Sequence, residues 1–136
     1  ADECRDFVAR QGLSDRVTFL GKVSEEEKIN LFARCAIAYN GVYDEDYGYV
    51  TPEAFLSGKP VLAHVDGGGP LEFMHHGENG LVVEPEPDAL AEAILTLRDN
   101  PARAKKMGQA GKASLKNKNL NWANKHREFL MPLLGK

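Results

Sequence analysis

Ala36-Ile37-Ala38-Tyr39-Asn40-Gly41-Val42-Tyr43-Asp44-Glu45-Asp46-Tyr47-Gly48-Tyr49-Val50-Thr51-Pro52-Glu53-Ala54 decides the fold. Its first part, Ala36 to Tyr39, is a short apolar run without alternation, the pattern of a strand buried on both faces. A polar loop follows, and from about Tyr49 to Ser57 the chain reads as a helix stopped by Gly58. Pro52 fits the first helical turn, where a proline gives up an amide that has no intrahelical partner. A buried strand that feeds a loop and then a helix is the unit of a parallel α/β sheet, in which ligand loops follow the carboxyl ends of the strands.

The rest of the chain repeats that unit. Ala1 to Gln11 reads as the tail of a helix closed by Gly12, and Arg16 to Leu20 as a short strand. Ser24 and Glu27 form a capping box for a helix with Ile29, Phe32, Ala33 and Ala36 at core-facing spacing. Pro60 to Val65 is a strand, Leu71 to His75 a short helix and Leu81 to Val83 a strand. Beyond Pro87 the pattern is helical. Leu90, Ala93, Ile94 and Leu97 make one stripe, Asn100-Pro101 a cap and first helical residue, and Trp122, His126, Phe129, Leu130 and Leu133 a last amphipathic stripe. The expected class is a Rossmann-like, doubly wound parallel α/β sheet with C-terminal helices.

The loop also carries chemistry. Glu45 and Glu53 place two carboxylates around a helix start, and an ionised carboxylate accepts paired hydrogen bonds from the vicinal hydroxyls of a ribose or hexose. A diphosphate needs N–H donors instead, which the free amides and positive end of a helix supply, with Gly48 leaving room for the anion. Carboxylates that only favour the helix dipole are the alternative reading of the same residues.

Composition narrows the field. The chain has 136 residues, 43% of them hydrophobic, enough for one modest core. A net charge of −3 gives no general attraction to nucleic acid, although Arg103, Lys105, Lys106, Lys112, Lys116 and Lys118 make the last third locally basic. No apolar run approaches the roughly 20 residues of a membrane span, and no signal peptide precedes the first helix. Cys4 and Cys35 lack metal-ligand spacing and read as reduced core thiols of a cytoplasmic protein. His75-His76 beside Glu78 lacks a third ligand, so no metal site is expected; His64 ends a strand near the Gly-rich turn and reads as structural. Neither a dinucleotide fingerprint, a P-loop nor a hydrolase elbow occurs.

Six segments in order resemble the family-4 (group 1) retaining glycosyltransferases of the GT-B fold, in their C-terminal, donor-binding half. They are Arg16 to Val23, Ser24 to Glu27, the E-x7-E pair Glu45 and Glu53, Gly58-Lys59-Pro60-Val61, Gly68-Gly69-Pro70-Leu71-Glu72, and Gly77-Glu78-Asn79-Gly80-Leu81-Val82-Val83. The wording of Thr51-Pro52-Glu53-Ala54 and of Gly68 to Glu72 is closest to mannosyltransferase members.

That resemblance implies transfer of a hexose, with mannose one candidate, from a UDP- or GDP-sugar to a glycan or lipid-linked acceptor, with retention and without a cofactor or metal. It implies that Glu53 accepts from the ribose hydroxyls and that Glu45 contacts the transferred sugar. Gly48, Tyr49, Val50 and Thr51 would hold the diphosphate and sugar, Gly21, Lys22 and Val23 would lie against the base, and Gly68 and Gly69 would permit close backbone approach. Tyr47 departs from the family's usual phenylalanine, and Asp44 and Asp46 add charge that a diphosphate would not welcome. A non-catalytic sugar-nucleotide or assembly module and a GT-B epimerase are the competing readings.

The resemblance assigns the strands here to the last positions of a doubly wound domain that normally has about six. The expectation is therefore that residues 1–136 form a partial nucleotide-sugar-binding domain, without its first strands and without an acceptor domain. Such a chain is expected to lack transferase activity alone, to complete its sheet with another segment or copy, and to work in the cytoplasm or peripherally at a membrane.

Overall fold

The computed structural model describes residues 2–117. Three parallel strands, β1 (Ala38–Asn40), β2 (Val61–His64) and β3 (Gly80–Val83), lie in the order β1-β2-β3. Ala38 faces Val61, and Val61 faces Gly80. The helices are α1 (Asp2–Arg10), α2 (Glu25–Arg34), α3 (Val50–Leu56), α4 (Pro87–Arg98) and α5 (Pro101–Asn117), with a 3-10 turn over Gly69–Phe73.

The central strand shows why its apolar run is continuous. Val61 and Ala63 point to one side of the sheet, into a cluster with Ala38, Ala54, Phe55, Phe73, Met74 and Leu115. Leu62 points to the other, where it meets Leu81, Ala93, Leu97, Ala104 and Met107. A strand covered on both faces needs apolar residues at every position. α3 and the C-terminal part of α5 cover one face, and α4 with the start of α5 covers the other.

Local signals set the boundaries. The Ser24 hydroxyl accepts from the Glu27 amide at 3.2 Å, and Asn100 Oδ1 accepts from the Arg103 amide at 3.0 Å. Buried Asn79 fastens the turn before β3, accepting from the His75 amide at 2.8 Å and donating to the Phe73 carbonyl at 2.9 Å.

Several expectations are corrected. Residues 16–20 do not form a strand. The amides of Arg16 and Val17 close a turn onto the Leu13 carbonyl, and Val17 and Leu20 are exposed. A strand exists through its ladder, and this segment pairs with no strand among the described residues. On α2, Ile29 and Ala33 are exposed, Ala36 lies beyond the helix end and is exposed too, and Phe32 is the member of that stripe that packs on the core. Ile94 sits at the rim of α4, whereas Ala93 and Leu97 are buried. The short helix lies at 69–73 rather than 71–75.

Cys4 is exposed because α1 buries none of its residues. Cys35 is half-buried, donates to the Phe32 carbonyl at 3.4 Å, and has its thiol pKa raised by burial. The stripe from Trp122 to Leu133 lies outside the described residues.

Candidate functional site

The loops that leave β1 and β2 are zipped together just past the carboxyl ends of those strands. The Asp44 amide donates to the Asp66 carbonyl at 2.9 Å, the Glu45 amide to the Gly67 carbonyl at 3.3 Å, and the Gly69 amide to the Glu45 carbonyl at 2.7 Å. Glu45 and Gly68 thereby form a parallel bridge that prolongs the sheet. Glycine is required at 68 for two reasons. Its φ of 71° and ψ of −133° suit a residue without a side chain, and a Cβ there would stand 2.7 Å from the Glu45 carbonyl oxygen. Gly69 is equally confined, since its Cβ would run into the Asp46 carbonyl. Gly48 is buried at φ 60°, seated on the Pro70 ring.

This zipper fixes Glu45. Its residue is half-buried, and Oε2 is closed off from solvent without a hydrogen-bond partner among the described residues. Asp66 Oδ1, on the adjoining loop, is in the same condition. A buried carboxylate oxygen without a donor is costly, so such atoms mark places where a ligand's donors would be accepted. Asp66 was not a candidate in the sequence, where an acid after a strand reads as a turn residue. Asp44 and Asp46 are exposed, which leaves their charges solvated.

Glu53 has a different neighbour. Lys28 Nζ on α2 donates to Glu53 Oε1 at 2.7 Å and to Glu25 at 3.0 Å. These bonds, to Glu53 first and then to Glu25, raise the lysine pKa from its ordinary value of 10.5. A raised value means that the contact contributes fully below 10.5 and is lost as pH rises through the higher folded pKa. Titration of the Lys28 side chain by NMR is expected to show a midpoint above the ordinary lysine value of 10.5, and a midpoint at or below it would contradict the contact. The two E-x7-E residues are thus held by separate partners, Glu45 through its backbone by the 66–69 loop and Glu53 through its carboxylate by α2.

Backbone donors at the start of α3 are fewer than the sequence suggests. The Thr51 amide donates to the Gly48 carbonyl at 3.2 Å, and Pro52 has no amide to offer. Thr51 is fully buried, and its hydroxyl accepts from Asn40 Nδ2 at 3.2 Å. It braces α3 against β1, and the amides of Gly48, Tyr49 and Val50 remain as the donors next to the loop. Tyr47 and Tyr49 are exposed with ring centroids 5.1 Å apart, and Tyr47 meets Phe73 edge-on at 6.1 Å. Gly21, at φ 66°, and Lys22 are exposed and Val23 is half-buried, immediately before the Ser24 cap of α2.

Two other features lie apart from this loop cluster. An open groove of about 470 Å³ between β3 and α4 is lined by His76, Val82, Glu84, Glu92 and Thr96 among others, and by neither E-x7-E carboxylate. His76 is tied to the Val82 backbone, and Tyr39 Oη lies 3.0 Å from His64 Nε2.

Known proteins resemble this chain in sequence and in fold. The family described as glycosyl transferases group 1 matches residues 2–114. The human alpha-1,3/1,6-mannosyltransferase ALG2 is 36% identical over 116 residues, which is 85% of this chain and 28% of that protein. A D-inositol 3-phosphate glycosyltransferase of Streptomyces avermitilis is 34% identical over 104 residues, 76% of this chain and 22% of that one.

Among solved structures, sucrose-phosphate synthase from Thermosynechococcus elongatus superposes with a TM-score of 0.89 at 29% identity, over 98% of this chain and 34% of its own. Anabaena HepE in complex with UDP and glucose gives 0.86 at 28% identity, over 99% of this chain and 36% of its own. The chain therefore spans about a third or less of each protein it matches here. The parallel sheet, the glycine-dependent zipper around Glu45 and a match running from α1 into α5 lead to one conclusion: this chain belongs to the group 1 glycosyl transferases, with the Rossmann-like α/β fold of the GT-B enzymes.

Proposed function

We propose that this chain is the donor-binding part of a retaining hexosyltransferase that takes a UDP- or GDP-activated sugar. The observation that carries the reading is Glu45, whose backbone is bonded in at the carboxyl end of the sheet and whose side chain has one buried oxygen without a hydrogen-bond partner among the described residues. A hexose hydroxyl is the donor such an oxygen needs, and a neutral hydroxyl meets it without adding charge. Glu53, in the first turns of α3, accepts from the ribose hydroxyls. The amides of Gly48, Tyr49 and Val50 face the diphosphate, and Gly21, Lys22 and Val23 border the base. Gly68 and Gly69 bring the backbone of the second loop close to the sugar.

Supporting this, HepE was solved with UDP-glucose, and ALG2 is named for mannose transfer. Mannose and UDP-activated glucose are the two sugars that the names of these relatives suggest for this chain, and the acceptor is a glycan or another lipid-linked acceptor. During transfer the diphosphate leaves with its bonding pair, so N–H groups aimed at its oxygens stabilise the charge that develops.

Calorimetry of the full-length protein that carries this chain, with UDP, GDP and their hexose conjugates, tests the assignment. Glu53→Ala is expected to weaken the preferred nucleotide by about a hundredfold, on the order of 3 kcal/mol for the loss of charge-assisted bonds to two hydroxyls. Glu45→Ala is expected to spare the free nucleotide and weaken the sugar conjugate. Unchanged affinities in both variants would show that neither carboxylate holds the donor and would overturn the assignment.

A further inference from the structure

The Lys28–Glu53 contact joins residues 25 positions apart, and on the function proposed above it lies between the base-side loop and the ribose acceptor. α2 starts directly after Gly21, Lys22 and Val23, and Lys28 stands one helical turn beyond the Ser24 cap. From there its ammonium crosses to α3 and takes one oxygen of Glu53 at 2.7 Å. Glu25 steadies the ammonium at 3.0 Å. Both members of the pair are about one-third exposed, 31% and 32% of their side chains. An ion pair so open to water adds little to folding stability. Its consequence is geometric.

A glutamate near the start of a helix has three rotatable bonds, and a free carboxylate would sample many directions. With Oε1 bonded to Lys28, the carboxylate samples fewer orientations than a free one would. The same bond links α2, which begins directly after the 21–23 loop, to α3.

We propose that Lys28 is a positioning residue for nucleotide recognition: it presets Glu53 to receive the ribose diol and couples the base-side loop to that carboxylate. The inference rests on the reading of Glu53 as the ribose acceptor. Lys28 does not itself touch the ligand, and its influence passes through Glu53.

The test compares UDP and GDP with their 2′,3′-dideoxy counterparts by calorimetry on the full-length protein, in wild type, Lys28→Met, Lys28→Arg, Glu53→Gln and the double variant Lys28→Met/Glu53→Gln. Lys28→Met is expected to weaken the preferred ribonucleotide by about tenfold, the usual scale of coupling between contacting residues. It is expected to leave the dideoxy nucleotide unchanged. Lys28→Arg should restore most of the loss, and the double variant should bind no worse than Glu53→Gln alone.

Equal or tighter ribonucleotide binding by Lys28→Met overturns the proposal, because the lysine would then be a bystander or a competitor for the carboxylate. Equal losses for ribose and dideoxyribose overturn it too, since they would report general damage. Should Glu53→Gln itself keep the full preference for ribose, the reading of Glu53 fails first. Should Glu53→Gln lose that preference while Lys28→Met keeps it, only the role of Lys28 is lost. Thermal unfolding midpoints of the single variants within a few degrees of wild type accompany the expected result, as befits a pair this exposed.

Discussion

Gly68→Ala is expected to cost about 3 kcal/mol of folding stability and to abolish detectable donor binding, although it adds a single methyl group. The residue's φ of 71° and ψ of −133° lie in a region that residues with a Cβ avoid. Conformation accounts for only part of the cost. The added carbon would stand 2.7 Å from the Glu45 oxygen and 2.9 Å from its nitrogen, both backbone atoms that cannot rotate away. Either the 66–69 loop or the 44–46 loop must move, and the bonds from Glu45 to Gly67 and from Gly69 to Glu45 lengthen with it.

Gly12→Ala is the control. Gly12 has a similar φ of 65°, yet nothing lies within 4 Å of its Cβ, so only the left-handed backbone penalty of about 1 to 2 kcal/mol applies. Urea unfolding of both variants separates the two contributions. Equal costs would show that the close approach of the two loops is not tight, and the zipper would lose its claim to fix Glu45.

The zipper was half legible in the sequence. Consecutive glycines after an apolar strand signal close backbone approach, which made Gly68 a candidate, whereas Glu45 was one for its carboxylate and its place in the E-x7-E pair. What they approach is a tertiary fact, and no local pattern says that Gly68 lies beside Glu45 rather than beside a ligand. Caps were legible for the opposite reason, because Ser24 with Glu27 and Asn100 with Arg103 satisfy amides three residues away. Lys28 was invisible, since its partner is on another helix and a lysine after three glutamates reads as a solvated face. Asp66 was invisible because burial of one oxygen depends on the facing loop.

The errors have a shared cause. Periodicity reports which residues are apolar, whereas burial also needs a neighbour. Ile29 and the 16–20 segment have the right residues and no covering element among those described. Thr51, assigned to ligand contact by its place in the motif, lies deeper than that place suggests: its amide donates to the Gly48 carbonyl and its hydroxyl accepts from Asn40.

Phe55→Ala is expected to have an effect at least as large, and its reach extends from the core to the site. The ring is fully buried on the face of the sheet shared by Ala38, Val61, Ala63 and Leu115. It also lies against Gly111 of α5, where a Cβ would overlap the ring, so the two helices have been brought together as closely as a glycine allows. Such a surface cannot close over a missing phenyl group without moving α5. Truncation of a buried phenylalanine costs about 3 to 5 kcal/mol, against a total stability of roughly 5 to 15 kcal/mol for a domain.

The next residue supplies the contrast. Leu56 is 60% exposed, and Leu56→Ala is expected to change stability by no more than about 0.5 kcal/mol. α3 carries Glu53 two residues before Phe55 and begins beside Gly48, so loosening its seat moves the carboxylate and the loop amides together. Donor affinity should therefore fall with Phe55→Ala even under conditions where the protein remains folded by circular dichroism. A variant that lost stability and kept its full affinity would show that the core and the site are not coupled through α3.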